Sequence, residues 1–246
     1  MAARAERLRE LHSGDLLVLP NAWDAASAST VVEAGFPVVA TASAAVSAML
    51  GYPDGEGAPW QEMFAAAGRI VRAVDVPVTV DAEAGYGMRP RELVDRLLHI
   101  GAVGCNLEDS DHRSGGLMEA GAHAEWLAAV RSAAADAGVP IVLNARVDAF
   151  LPSSGIAEPD RLAEAVRRGR LYRDAGVDCV YPIGVREPKD MAVLVRELSC
   201  PINGNTGELM DLATLRELGV ARVSYGPRFY RAALAGLKTA VEDLKA

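Results

Sequence analysis

Cysteine is scarce in this chain of 246 residues: there are three, Cys105, Cys179 and Cys200. The number is odd, and each sits in or beside an apolar, strand-like run. That excludes a disulfide framework and fits buried thiols in a reducing cytosol. Positive charge is also in deficit, with 25 Lys and Arg against 33 Asp and Glu and a net charge of -8. Nucleic acid is therefore not an expected partner, and nothing signals a membrane surface. No apolar run is long enough to span a bilayer. The opening stretch from Met1 to Glu10 is a charged amphipathic helix without an apolar core, so a secretory signal is not expected and a cytoplasmic location is. The seven methionines are scattered and imply no cofactor stripe. Histidine is rare too, with four in the chain, and only His112 lies in a segment that could face a substrate.

What the chain has in abundance is a rhythm. Half its residues are hydrophobic, enough for a large core. Apolar runs of about five residues recur at Leu16–Pro20, Pro37–Thr41, Pro77–Asp81, Val103–Glu108, Pro140–Arg146, Val177–Pro182, Pro201–Asn205 and Val220–Gly226. Helical stretches lie between them, among them Trp60–Val74, Pro90–Ile100, Ala122–Ala137, Pro159–Ala175, Pro188–Leu198, Met210–Leu218 and Phe229–Leu244. Gly35, Gly101, Gly138, Gly176 and Gly219 stand just past helical segments, as C-caps do. Strand–helix units repeated in this way predict an α/β fold, a (β/α)8 TIM barrel with an N-terminal helix. An open doubly wound sheet is the rival. It would show a glycine-rich phosphate turn after the first strand, and Asn21-Ala22-Trp23-Asp24 is not one. No linker or charge block divides the chain, so residues 1–246 are expected to form one domain. Two segments, Ser43–Pro59 and Ser110–Gly121, read as long loops at the barrel's C-terminal face, where active sites are built.

The stretch Val78-Thr79-Val80-Asp81-Ala82-Glu83-Ala84-Gly85-Tyr86-Gly87 is a buried-strand pattern ending in two carboxylates and a glycine-rich turn. If the extended backbone persists past Asp81, Asp81 and Glu83 point to one side and can reach one cation together. The other strand ends supply Thr41, Ser43 and Asp54 after the second strand, and Glu108 and Asp109 after the fourth. The fifth contributes Arg146 and Asp148, and the seventh Asn203 and Asn205. Carboxylates without histidine or cysteine favour a hard cation, Mg2+ or Mn2+ rather than Zn2+. Arg146 has the planar fork suited to a substrate carboxylate or phosphate, and an ion pair with Asp148 or Asp109 is the alternative use for it. Glu108 could equally partner a structural cation, and Asp54 could be a turn residue in Pro53-Asp54-Gly55.

Four segments in order and spacing resemble the isocitrate lyase/phosphoenolpyruvate mutase superfamily. They are Leu50-Gly51-Tyr52-Pro53-Asp54, Asp81 to Gly87, Asn106-Leu107-Glu108-Asp109 and Asn144-Ala145-Arg146-Val147-Asp148. The resemblance implies a Mg2+-dependent barrel enzyme acting on 2-oxo acids or related carboxylates and phosphonates through an enolate-like species. It implies metal-site roles for Asp81, Glu83 and Glu108, partly through bound waters, an acid beside the metal at Asp54 that serves catalysis or metal-water binding, and a substrate-binding arginine at Arg146. Thr41, Ser43 and Ala44 would bind a substrate carboxylate, with Asn205 as a further contact, and cation and N–H donors would stabilise a developing oxyanion. The family carries Asp where this chain has Glu83, which leaves Asp81 or a rearranged pair as the direct ligand. The lyases' cysteine-containing signature is replaced by Ser110-Asp111-His112-Arg113-Ser114-Gly115-Gly116, which excludes isocitrate and methylisocitrate lyase activity.

The expected activity is a Mg2+-dependent C–C cleavage of a small, oxaloacetate-like 2-oxo acid, with His112 as a candidate proton donor. The alternatives are a P–C bond mutase or hydrolase acting on a phosphonopyruvate-like compound, and a metal-binding barrel without turnover. A homodimer or homotetramer is expected by analogy. Because a single helix follows the eighth strand, exchange of a terminal helix between subunits is not.

Overall fold

The protein was analysed as a computed structural model that describes residues 1–245. Its strands are β1 (Leu17–Leu19), β2 (Asn21–Ala22), β3 (Val39–Thr41), β4 (Val78–Asp81), β5 (Gly104–Glu108), β6 (Val142–Val147), β7 (Cys179–Pro182), β8 (Asn203–Gly204) and β9 (Arg222–Ser224). The helices are α1 (Ala2–Leu11), α2 (Ala25–Glu33), α3 (Ser43–Leu50), α4 (Trp60–Ala73), α5 (Pro90–Ile100), α6 (Ala120–Asp136), α7 (Arg161–Asp174), α8 (Pro188–Leu198), α9 (Leu212–Glu217) and α10 (Arg228–Glu242).

All strand pairs are parallel: β2 through β7 run in sequence order as one sheet, and β1-β9-β8 form another. The two sheets meet at two seams. At one, β1 and β2 occupy a single strand position broken at Pro20, which has no N–H to give to a ladder. At the other, a lone bridge joins Val180 to Ile202. The strands therefore ring a (β/α)8 barrel whose ladder is interrupted at those seams rather than continuous. The expected strand runs all reappear, and the five helix-end glycines all adopt positive φ. At Gly101, with φ 84°, the turn closes α5 by N–H donation to Leu97 and Leu98 carbonyls, a conformation that costs a side-chain-bearing residue more.

Two cores result. The larger fills the shell between strands and helices. The smaller lies inside the N-terminal end of the barrel, where Leu17, Leu19, Val38, Ala40, Val103 and Val142 pack with Ala5 and Leu8 of α1. The N-terminal helix thus plugs the barrel floor and leaves the opposite end for chemistry.

One expectation is corrected. Ser43–Pro59 is not wholly loop, because Ser43–Leu50 is α3. Ser-Ala-Ala-Val-Ser-Ala-Met-Leu has good helix formers but no polar face, since Ser43, Ala45, Val46 and Ser47 are all buried. Without a stripe, periodicity gives no helical signal. The opposite anomaly is α10, which buries no residue at all. Leu234, Leu237, Val241 and Leu244 repeat at helical spacing, and all are exposed.

Candidate active site

Register assembles the site. Asp81 pairs with Asn106, and Glu108 with Arg146, so β4, β5 and β6 carry their charged side chains to the same barrel end. Asp81 closes β4. Its N–H donates to Thr41 Oγ1 (2.8 Å), and its Oδ2 accepts from the Ser43 N–H (3.0 Å). Ser43 and Ala44 are the first two residues of α3, so the carboxylate sits at a helix N-terminus, where N–H donors and the helix dipole favour an anion. Asp81 Oδ1 is buried with no hydrogen-bond partner. Burial pushes the Asp81 pKa up, and Arg146 and the Ser43 N–H only partly offset it.

Glu83 departs from the sequence expectation. Extended geometry ends at Asp81, and Glu83 has φ 50°, so the alternation that would have aimed both acids at one cation is broken. Its carboxylate instead accepts from the Tyr86 hydroxyl and the Glu56 N–H. Glu56 in turn accepts from the Tyr86 N–H (2.5 Å). The segment carrying Asp54 is tied to the β4–α5 turn by this knot, and Glu56 and Tyr86 also have positive φ. No residue pattern announces such backbone conformations, which is why sequence reasoning missed Glu56 and Tyr86. Asp54 itself is exposed, yet close enough for its charge to help raise the pKa of Asp81 and Glu83.

Glu108, 3% exposed, closes β5 between two cationic or donor groups. His112 Nε2 lies 2.6 Å from its Oε1, and the Arg146 guanidinium forms an ion pair with its Oε2. Burial raises Glu108 to a pKa of about 7 despite Arg146. The hydrogen bond to Glu108 raises the pKa of His112. Arg146 also grips Asp148 with two N–H groups, Nε to Oδ1 (2.6 Å) and Nη2 to Oδ2 (2.9 Å). Burial opposes its charge, but Glu108 and Asp148 outweigh that and hold its pKa well above the ordinary value. The ion pair that the strand spacing allowed is therefore formed with Asp148. Asp109, the next residue after Glu108, faces the other way and is completely buried. It accepts from the Asp148 N–H (2.9 Å), the Tyr172 hydroxyl (2.7 Å) and Arg168 (3.1 Å). Asn205 is similarly occupied, bridging Tyr181 and the Ser224 carbonyl.

Among the described residues, no group of three or more His, Cys, Asp or Glu side chains is arranged to hold a metal ion, so Asp81, Glu83 and Glu108 do not form the expected triad. What fits a cation is a smaller set. Asp81 Oδ1 is a buried oxygen without a hydrogen bond. Glu108 Oε2, on the neighbouring strand, has only its ion pair with Arg146, and the Asp81 charge helps raise the pKa of Glu108. Mg2+ takes one or two carboxylates and fills its remaining positions with water and substrate. The donor set fits that description through Asp81 and Glu108.

Residues 8–245 match the model of a family described as phosphoenolpyruvate phosphomutase. An oxaloacetate decarboxylase of Bradyrhizobium sp. (strain ORS 278) is 32% identical, over 91% of this chain and 80% of its own. A crystal structure from Burkholderia cenocepacia J2315, of a provisionally assigned phosphonomutase, is 38% identical. It superposes with a TM-score of 0.91 over 99% of this chain and 100% of its own. A 2,3-dimethylmalate lyase, itself a PEP mutase/isocitrate lyase superfamily member, superposes with a TM-score of 0.86 at 25% identity, over 100% of this chain and 85% of its own.

Proposed function

Because the chain belongs to the phosphoenolpyruvate phosphomutase family, we propose that it is an enzyme, acting as a single barrel domain, that cleaves a C–C bond in a small 2-oxo acid of the oxaloacetate type. The observation that carries this reading is the Asp81–Glu108–Arg146 cluster at the strand ends, where Asp81 Oδ1 has no hydrogen-bond partner and Glu108 Oε2 is ion-paired with the guanidinium. Asp81 and Glu108 would hold a divalent cation, Mg2+ or Mn2+, which would supply electrophilic polarisation of a 2-oxo group. The protein's own parts do the rest. Arg146, fixed by Asp148, presents its remaining N–H groups to a substrate carboxylate. Thr41 and the first turn of α3, including Ala44, offer donors where negative charge accumulates. His112, whose Nε2 lies 2.6 Å from Glu108 Oε1, is the group assigned here to protonate a carbanionic carbon. Asp54 lies on the segment that the Glu56–Glu83–Tyr86 knot fastens over this end of the barrel.

The likeness at 38% identity to a provisionally assigned phosphonomutase supports a second reading, P–C bond chemistry at the same cluster. Proton, carbon and phosphorus NMR of the protein with Mg2+, oxaloacetate and phosphonopyruvate separates the two. We expect pyruvate and carbon dioxide from oxaloacetate, above the background rate and lost in Asp81→Ala. A new phosphorus resonance in place of those products would assign P–C chemistry, and no turnover of either compound would reject both readings.

The exposed stripe of α10 bears on assembly. Leu234, Leu237 and Val241 on one face of α10, continued by Leu244 in the turn that follows, exceed what a free surface usually displays contiguously. We infer that this face is a contact between copies of the chain in a homodimer or homotetramer. Sedimentation of the Leu237→Lys/Val241→Lys variant should show a smaller species than the wild type. Equal sizes would remove α10 from the interface.

A further inference from the structure

Beside the barrel mouth, and separate from the Asp81–Arg146 cluster, lies a cavity of ≈ 480 Å³ between the β4–α5 turn, the loop after β5 and the start of α6. Its walls are unusually well seated. The Trp126 ring packs on Gly85, where an added Cβ would lie 2.8 Å from the ring. The Arg113 guanidinium packs on Gly87 in the same way, and the His112 ring lies 3.2 Å from where a Cβ of Gly55 would be. All three glycines have positive φ. The glycine-rich turn that stood out in the sequence therefore makes room for the walls of this cavity.

Acids and guanidiniums line it in equal number but are not equally engaged. Two acids border the cavity, and both are already used: Asp111 accepts from the N–H groups of Arg113 and Ser114 and from the Ser114 hydroxyl, and Glu56 accepts from the Tyr86 N–H. Two guanidiniums border it as well, Arg89 and Arg113, and among the described residues neither has a carboxylate within salt-bridge distance. The remaining lining is mostly apolar, chiefly Met88, Met118 and Trp126, with Ser110, His112 and His123 as its polar members. Unused guanidinium donors over an apolar, aromatic floor match an anion with an apolar body. We propose that this cavity is a binding site for an organic anion of that class, its carboxylate or phosphate between Arg89 and Arg113 and its apolar body against Trp126 and the two methionines. The site does not depend on the reaction proposed above. His112 lines the cavity and bonds Glu108, so an occupant would share one wall with the catalytic cluster.

The test is ligand-observed NMR titration of the full chain with four probes. Phenylacetate and phenyl phosphate carry both features, acetate has the charge alone, and benzyl alcohol has the body alone. At least one phenyl anion should bind about tenfold or more tighter than either partial probe. The stronger of the two identifies the head group. Arg89→Gln/Arg113→Gln should weaken that binding by about tenfold or more, and Ala122→Phe, which fills the cavity from α6, should do the same. Asp81→Ala should leave it unchanged. Phenyl anions binding no better than acetate or benzyl alcohol would overturn the proposal. So would binding that survives the double arginine variant, or that disappears in Asp81→Ala and therefore belongs to the barrel mouth. The arginine substitutions are at exposed side chains and guard against a cavity-filling variant that fails to fold.

Discussion

Replacing Arg146 by Met should destabilise the protein by about 3–5 kcal/mol and abolish turnover of any 2-oxo acid. The size follows from what remains behind. Asp148 is completely buried and Glu108 nearly so, and Arg146 is the cation in contact with both. Removing it leaves two carboxylates in a desolvated space, with Ser110 bonded to Asp148 and His112 to Glu108. For a chain of this length such a loss lowers the melting temperature by about 10 °C. The double variant Arg146→Met/Asp148→Asn should recover more than half of that loss, because the cost lies in an unmatched charge rather than in missing packing. Arg146→Lys should retain part of the stability while losing activity, since an ammonium cannot reproduce a two-pronged grip. A single variant that melts with the wild type would mean that water screens these carboxylates, against the burial seen here.

Much of this arrangement was legible beforehand, for identifiable reasons. Arg146 is in β6 and Asp148 lies one residue past its end, still in the strand's alternation, so their sharing a face follows from the pleat, and their ion pair was one of the uses foreseen for Arg146. The alternation of β-branched runs with glycine-ended helices exposed the barrel, because each glycine marks a conformation that other residues avoid. The same pleat argument misled at Glu83. It holds only while the backbone stays extended, and one residue at φ 50° turned that carboxylate to Tyr86 and Glu56. Nothing in Asp-Ala-Glu-Ala-Gly distinguishes the two outcomes, since the deciding hydrogen bond comes from Glu56, distant in sequence. Helix α3 was hidden because its serines are buried while Ala48 and Met49 are exposed, which erases amphipathic contrast. The solvent-facing stripe on α10 shows the converse: a stripe reports that a helix face is to be covered, not that its own chain covers it.

In the metal-free protein, stability should fall as pH rises from 5 to 8, and Mg2+ should reverse the trend. Glu108 has an ordinary pKa of 4.5 and is raised to about 7 in the fold by burial. Between those values the folded state keeps a proton that the unfolded chain has released. Its contribution is therefore fully present below the unfolded value and lost as pH climbs through the folded one. At 1.36 kcal/mol per unit, the Glu108 contribution alone is about 3 kcal/mol. Asp81 is raised by burial and acts in the same sense. His112, raised by its bond to Glu108, contributes below 6.5 and loses that contribution as pH passes its folded value, so it adds to the slope rather than opposing it. The lowered carboxylates, such as Asp111 and Glu119, titrate beneath this window and lie on the surface. Urea unfolding at pH 5.5 and pH 8 in a chelator should show the lower stability at pH 8. Glu108→Gln, which stays neutral throughout, should flatten most of the difference. Adding Mg2+ should stabilise the protein more at pH 8 than at pH 5.5, because a cation bound by Asp81 and Glu108 requires both deprotonated and contributes in proportion to its saturation. Equal stabilisation at the two pH values would place the cation away from these acids. Stability rising toward pH 8 in the chelator would show that Arg146 keeps Glu108 ionised throughout.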